Sequence, residues 1–192
     1  MLFRSGHPGA GSFDQVEQVN DLIEGRQKAV SLGKNLIVIA DRDKLILSSA
    51  QVTIGRQYLA IPDIVELPGI RAAIKTGQVG IKSASKKRLK SGLKINIDFD
   101  KLARPLEISG IKPGDRFNPL GLDGTKKIGD YLTDKKQSRH IRDEVLVIRD
   151  KKGIIWLVGY EISDRVKITN KTKKVLEIEL IRRKNETRYP QI

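Results

Sequence analysis

Gly114-Asp115-Arg116-Phe117-Asn118-Pro119-Leu120-Gly121, continued by Gly124-Thr125-Lys126-Lys127-Ile128, brings turn residues, an aromatic and paired cations together in one short stretch. A Gly-Asp turn leads into Phe and Pro, and a second pair of glycines opens onto the lysines. From 126 to 133 the apolar residues Ile128, Tyr131 and Leu132 fall at i, i+3 and i+4, which predicts a short helix with one buried face. Lys126 and Lys127 then stand in its first turn, where unpaired N–H groups and the positive dipole end favour phosphate. The plainer reading of the two lysines is a solvated first turn.

Downstream of this stretch, Ser138 is placed to cap a second short helix running through Arg142. Runs at 145–149 and 154–158 flank Asp150-Lys151-Lys152-Gly153, a strong hairpin signal. A further strand at 175–181 sets Leu176, Ile178 and Leu180 against Val175, Glu177 and Glu179. Upstream, 106–108 and 94–97 read as strands. Short strands are also expected at 51–54, 58–61 and 78–81, punctuated by Pro62, Pro68 and Gly69. The spacing of Phe13, Val16, Val19 and Ile23 predicts an amphipathic helix over 13–30, capped by Ser12. Leu36–Ile39 and Leu45–Leu47 around Asp41-Arg42-Asp43 predict a β-hairpin. No internal repeat or heptad pattern is present. The expected class is α+β and mostly β. A flexible leader (1–12) precedes a helix with a β-rich connector (13–97) and a strand-rich domain with short helices (98–192).

Charge divides this chain more sharply than hydropathy does. The net charge is +14; residues 1–81 carry 9 Lys and Arg against 8 Asp and Glu, whereas residues 82–192 carry 28 against 15. A basic half beside a near-neutral half points to a polyanionic partner, most simply nucleic acid. The alternative is a soluble basic surface without a partner. There are no cysteines, which rules out a disulfide framework and thiolate zinc sites and fits a reducing cytoplasm. His7 and His140, the only histidines, have no ligand-spaced His or Cys, so no metal site is expected. No apolar run reaches the length of a membrane span, and no signal-peptide core opens the chain. The Asp and Glu residues are scattered and no activated nucleophile is evident, so no catalytic residue is assigned.

The candidate polyanion contacts are Lys126 and Lys127, with Arg116, Lys135, Lys136, Arg139 and Arg142 extending a cationic strip. Arg142 has a second reading as the partner of Asp143. Arg165 and Lys167 are candidates at a sheet edge, with an ordinary hairpin rim as the alternative. The acid-free basic run within 82–94 reads as a solvated loop rather than a dedicated contact. Trp156, among apolar neighbours, is assigned to the core and not to base stacking. Phe117 and Pro119 are expected to shape the turn and plug the core.

Over 98–180 these residues resemble the C-terminal part of the tRNA(Ile)-lysidine synthetase family. The matching positions are Asp100-Lys101-Leu102, Pro105-Leu106, Gly114-Asp115-Arg116-Phe117, Pro119, Gly121, Gly124, Lys126-Lys127, Asp130, Asp134, Lys136 and Arg142-Asp143. Trp156, Gly159, Arg165, Lys167 and Thr169 match the family's ending, and Tyr131-Leu132 replaces its aromatic pair. A looser likeness covers 13–47. Ser5-Gly6-His7-Pro8 is not the family's S-G-G-x-D-S loop, so the likeness is to the non-catalytic part alone. The resemblance implies a fold like a domain of the phenylalanyl-tRNA synthetase β subunit, and a role in holding isoleucine tRNA near its acceptor stem. The full-length enzyme it implies is an ATP-dependent carbon–nitrogen ligase that joins lysine to the wobble cytidine, with ATP and Mg in a domain this chain lacks. The chain alone is then expected to be inactive and cofactor-free, working in the cytoplasm beside the catalytic domain of the same enzyme. A general structured-RNA-binding module, or a docking and homodimerisation module, is the alternative.

Overall fold

The computed structural model describes residues 13–32, 36–41, 44–49, 54–67, 70, 72–81, 84, 93–137, 142 and 144–182. The chain divides into two compact units, Met1–Gln51 and Val52–Ile192. That boundary differs from the one expected at 97/98, because the strands assigned to a connector are built into the sheets of the second unit.

The first unit holds helix α1 (Phe13–Ile23) and three antiparallel strands, β1 (Ala29–Ser31), β2 (Leu36–Asp41) and β3 (Lys44–Ser49), in the order β1-β2-β3. The β2–β3 hairpin is the one expected, paired from Leu36↔Ser49 to Asp41↔Lys44. The helix is shorter than its 13–30 expectation. The chain turns after Ile23, with Gly25 at φ +76°, and residues 29–31 pair with β2 instead. Its buried residue is Leu22, which packs with Val30 and Val38. Phe13, Val16 and Ile23, the expected inner face, are 83%, 55% and 62% exposed.

The second unit begins with β4 (Gln57–Leu59), β5 (Asp63–Leu67), β6 (Ala72–Val79) and β7 (Lys94–Asp98), followed by β8 (Leu106–Gly110). A two-residue pair, β9 (Arg116–Phe117) and β10 (Lys126–Lys127), precedes helix α2 (Ile128–Asp134). Then come β11 (Leu146–Asp150), β12 (Gly153–Leu157), β13 (Glu161–Ile162) and β14 (Val175–Arg182). One sheet has the order β13-β12-β11-β8-β4, and the other β5-β6-β14-β7. All pairings are antiparallel, and β14 pairs with β6 from Val175↔Val79 to Arg182↔Ala72. The expected strand at 78–81 is thus the end of β6. Ile54 lies outside any strand, and 51–53 fall outside the described residues, as do Arg71, the run 85–92, Ser138, Arg139, His140 and Asp143.

The two sheets share one core. Leu59, Leu67, Ile74, Ile97, Leu106, Ile108, Ile148, Trp156, Leu176, Ile178 and Leu180 all belong to it. The opposite face of the five-stranded sheet carries a second cluster in which Val145, Val147, Ile154 and Leu157 meet Phe117 of β9 and Ile128, Tyr131 and Leu132 of α2. Alternation explains this two-sided burial, since Ile148 faces one core and Val147 the other. A bulge after Ile148 lets Ile155 and Trp156 both face the inter-sheet core. Trp156 has no exposed surface, as expected of a core residue. The β9–β10 pair and α2 are therefore anchored on the outer face of the sheet by Phe117, Ile128, Tyr131 and Leu132. Full burial of an Ile or Leu side chain stabilises by about 1.5–3 kcal/mol.

Candidate nucleic-acid interface

Lys126 and Lys127 do not open a helix. They form β10, paired with β9 as Lys126↔Phe117 and Lys127↔Arg116, and α2 starts only at Ile128. The i, i+3, i+4 pattern of Ile128, Tyr131 and Leu132 marks the buried face but not where the helix begins. The amide of Ile128 donates to the carbonyl of Asp115 at 3.0 Å, so the N-terminus of α2 is closed by its own hairpin. An anion at these lysines would therefore meet the hairpin and not a free helix N-terminus.

On that hairpin the pairing sets side chains face by face. Phe117 and Lys126 share one face, where Phe117 plugs the core, as expected. Arg116 and Lys127 share the other and are both exposed. Directly opposed residues hold their Cβ atoms about 4.5–5.5 Å apart, and like charges placed so are destabilising. No carboxylate among the described residues lies within ion-pair distance of either. The Arg116 guanidinium donates from Nε to Thr125 Oγ1 at 3.3 Å and from Nη2 to the Thr125 carbonyl at 3.2 Å, which fixes the fork beside Lys127.

Asp115 locks the hairpin to the sheet. Its carboxylate accepts from the Lys112 amide at 2.7 Å and from Arg149 Nη2 of β11 at 2.9 Å. The eight-residue loop 118–125 is held as firmly. The Leu120 amide donates to the Ile162 carbonyl, the Asp164 amide to the Asn118 carbonyl, and the Gly121 amide to Asp164 Oδ1 at 2.9 Å. In the orientation that satisfies the surrounding carbonyls, the Asn118 amide donates to those of Pro119, Leu122 and Gly124. Gly121 and Gly124 adopt φ of +80° and +100°, a region costly for residues with a Cβ.

The remaining candidates divide by what already occupies them. Lys126 forms an ion pair with Asp134, at the end of α2. Lys135 lies 5.7 Å from the Tyr131 ring centroid and ends α2 as its C-cap. Lys136 follows at φ +56°; its amide donates to Thr133 and that of Gln137 to Leu132, closing a Schellman turn with lysine where glycine is usual. Arg142 donates from Nε and Nη2 to the Gln137 carbonyl, pinning the chain after α2. Both Arg139 and the proposed partner Asp143 fall outside the described residues.

Arg165 lies in a 3-10 turn, Asp164–Val166, and Lys167 caps its C-terminal end, so neither is at a strand edge. Arg165 reaches inward. Its Nη2 donates to Asp150 Oδ1 at 2.8 Å and its Nη1 to the Lys101 carbonyl, while Asp150, fully buried, also accepts from the Ala103 and Lys152 amides. Lys167 is exposed and donates to both oxygens of Asp164 at 3.0 and 2.8 Å. That bond, with the Gly121 amide, holds the Asp164 carboxyl below its ordinary value. Since Asp164 also grips the loop, Lys167 lies at the same hairpin, whereas the Arg165 guanidinium is taken up by Asp150 and the Lys101 carbonyl.

The structure thus brings Arg116, Lys126 and Lys127 together on one ribbon. Seven residues of α2, at 1.5 Å rise, carry the chain about 10 Å on to Lys135 and Lys136. Leu120 and Leu122, exposed at the loop tip, were not among the candidates drawn from sequence. The available signal was two apolar residues inside a Gly-flanked loop between short strand segments. Among the described residues no group of three or more His, Cys, Asp or Glu is placed to hold a metal, and no helix is long and apolar enough to cross a membrane.

Residues 106–180 match the family model described as TilS substrate C-terminal domain. A tRNA(Ile)-lysidine synthase of Caldanaerobacter subterraneus subsp. tengcongensis is 34% identical over 124 residues, covering 65% of this chain and 26% of that protein. One from Clostridioides difficile is 28% identical over 155 residues, covering 79% of this chain and 33% of that protein. The chain thus spans about a quarter to a third of the length of these relatives. A solved structure described as the crystal structure of the TilS C-terminal domain aligns with a TM-score of 0.57 at 21% identity, covering 69% of this chain and 100% of that one. That alignment supports the mostly β fold with short helices.

Proposed function

We propose that this chain, whose residues 106–180 match the TilS substrate C-terminal domain family model, holds isoleucine tRNA in aid of lysidine formation. The observation that carries this reading is the Arg116–Lys127 rung, two cations opposed on a two-residue ribbon with no described carboxylate between them. An RNA phosphate placed over the rung relieves the like-charge repulsion and accepts charge-assisted hydrogen bonds from the Arg fork. Lys135 and Lys136 extend the grip beyond α2. Lys126 and Lys167 join it by exchanging Asp134 and Asp164 for phosphate. Arg142 and Arg165 act by fixing the backbone beneath.

Contacts of this kind position an RNA without reading its sequence. The bond-forming chemistry, with its ATP and Mg, belongs to a catalytic domain of the full-length cytoplasmic enzyme, and this chain alone neither uses ATP nor transfers lysine. Incubation with tRNA, ATP and labelled lysine should leave the tRNA unlabelled; label in the product would contradict this. Competition binding separates a tRNA-holding role from a general RNA module. Isoleucine tRNA should displace itself far better than unrelated hairpins do, and equal displacement would favour the general module.

A docking role is favoured by one observation in the first unit, where α1 leaves Phe13, Val16 and Ile23 exposed. Sedimentation velocity tests self-association through that face, and a single monomeric boundary at high concentration would remove it.

A further inference from the structure

The loop between β9 and β10 combines a rigid frame with an apolar tip. Leu120 and Leu122 flank Gly121 and are 42% and 44% exposed. Isolated surface leucines need no explanation. These two stand apart because the backbone between them is tied on every side. The Leu120 amide bonds to Ile162, the Leu122 amide to Pro119, the Gly121 amide to Asp164, and Asn118 to three loop carbonyls. Pro119 pairs with Ser163 across the gap. That frame leaves both leucines in contact with solvent, on the loop of the same ribbon that carries Arg116 and Lys127.

Charge at this site selects the occupant. Arg116, Lys126, Lys127 and Lys167 all belong to the hairpin or the turn that grips it, which suits a polyanion better than an apolar protein surface. A nucleic acid presents two chemistries side by side, phosphates for the cations and base or ribose faces for apolar groups. Leucine is among the side chains that wedge against base steps. We propose that Leu120 and Leu122 form a preorganised apolar tip that packs on a base or ribose face of the RNA whose phosphates lie on the Arg116–Lys127 rung. This rests on the RNA-holding reading above and adds a contact that carries no charge.

The test pairs two polyanions, isoleucine tRNA and long-chain inorganic polyphosphate, which has no bases. A Leu120→Ala/Leu122→Ala variant should bind tRNA about tenfold more weakly at every salt concentration, the loss of roughly one good apolar contact. Its log–log salt slope and its affinity for polyphosphate should match those of the parent. A conservative Leu120→Met/Leu122→Met variant should retain tRNA binding, which separates loss of contact from loss of fold. Unchanged tRNA affinity in the alanine variant would overturn the proposal and leave the tip to a protein partner. Equal weakening toward both polyanions would also overturn it, since the loop then serves only to shape the cationic ribbon. Failure of the underlying reading looks different, because the parent itself would bind tRNA weakly with a shallow salt slope.

Discussion

Lys136 shows how a single residue can be held against its own backbone preference. It takes the left-handed conformation at φ +56° to close the Schellman turn after α2. That conformation disfavours a residue with a Cβ by about 1–2 kcal/mol. Lys136→Gly should therefore stabilise the protein by about 0.5–1 kcal/mol in urea unfolding, while lowering the salt slope of tRNA binding by about one phosphate's worth. Arg165 presents the reverse case. Its partner Asp150 is fully buried, so Arg165→Ala leaves that carboxylate with its two backbone amides but no counter-charge, at a cost of about 1.5–3 kcal/mol. The same variant should keep the parent salt slope, because the guanidinium is turned inward; a flattened slope would return Arg165 to the RNA contacts.

At the scale of the element, the β9–β10 ribbon sets stability and binding in opposition. Lys127→Glu places a carboxylate opposite Arg116 and should raise stability by roughly 0.2–1 kcal/mol in thermal unfolding. It should at the same time weaken tRNA binding severalfold. A variant losing both would show that the rung is structural.

This ribbon was also the least legible element in the sequence. Two-residue strands carry no periodicity, and the helical spacing of Ile128, Tyr131 and Leu132 runs back into Lys126 without a boundary signal. By contrast β11, β12 and β14 were plain, because apolar runs flanking the Asp150–Gly153 turn mark the first two and alternation marks the third. The bulge that sends Ile155 and Trp156 to the same core does not hide β12, because its run is apolar throughout. The cations of the site were visible as residue types. Which of them were already held by Asp134, Asp164 or Asp150 depended on the fold of the intervening turns, across separations of 8, 3 and 15 residues.

At the scale of the whole molecule, long-range pairing decides where the second unit begins. β14 pairs with β6 and β7, so strands read as a connector are held by the last strand among the described residues. No local pattern announces that pairing. The loop that carries Leu120 and Leu122 is also held from far along the chain, by Asp164, which accepts from the Gly121 amide. Its carboxyl is held below the ordinary value of 3.8, first by Lys167 and then by the Gly121 amide. The folded state thus binds this proton less readily than the unfolded one. The Asp164 contribution is fully present above about 3.8 and is lost as pH falls through the lower folded value. The Gly121 amide resonance should report this with a midpoint below 3.8; a midpoint at or above it would mean the Lys167–Asp164 bond does not persist in solution.

The excess of positive charge over residues 82–192 makes the proposed tRNA contact electrostatic, and counterion release measures it directly. Binding of the chain to isoleucine tRNA across a salt series, beside an Arg116→Ala/Lys127→Ala variant, is the decisive measurement. Each phosphate contact contributes a log–log slope of about −0.7 to −0.9, so loss of the rung should flatten the parent slope by roughly 1.4 to 1.8. A slope of equal steepness in parent and variant would contradict the account, by showing that the rung at the heart of the hairpin does not touch the RNA.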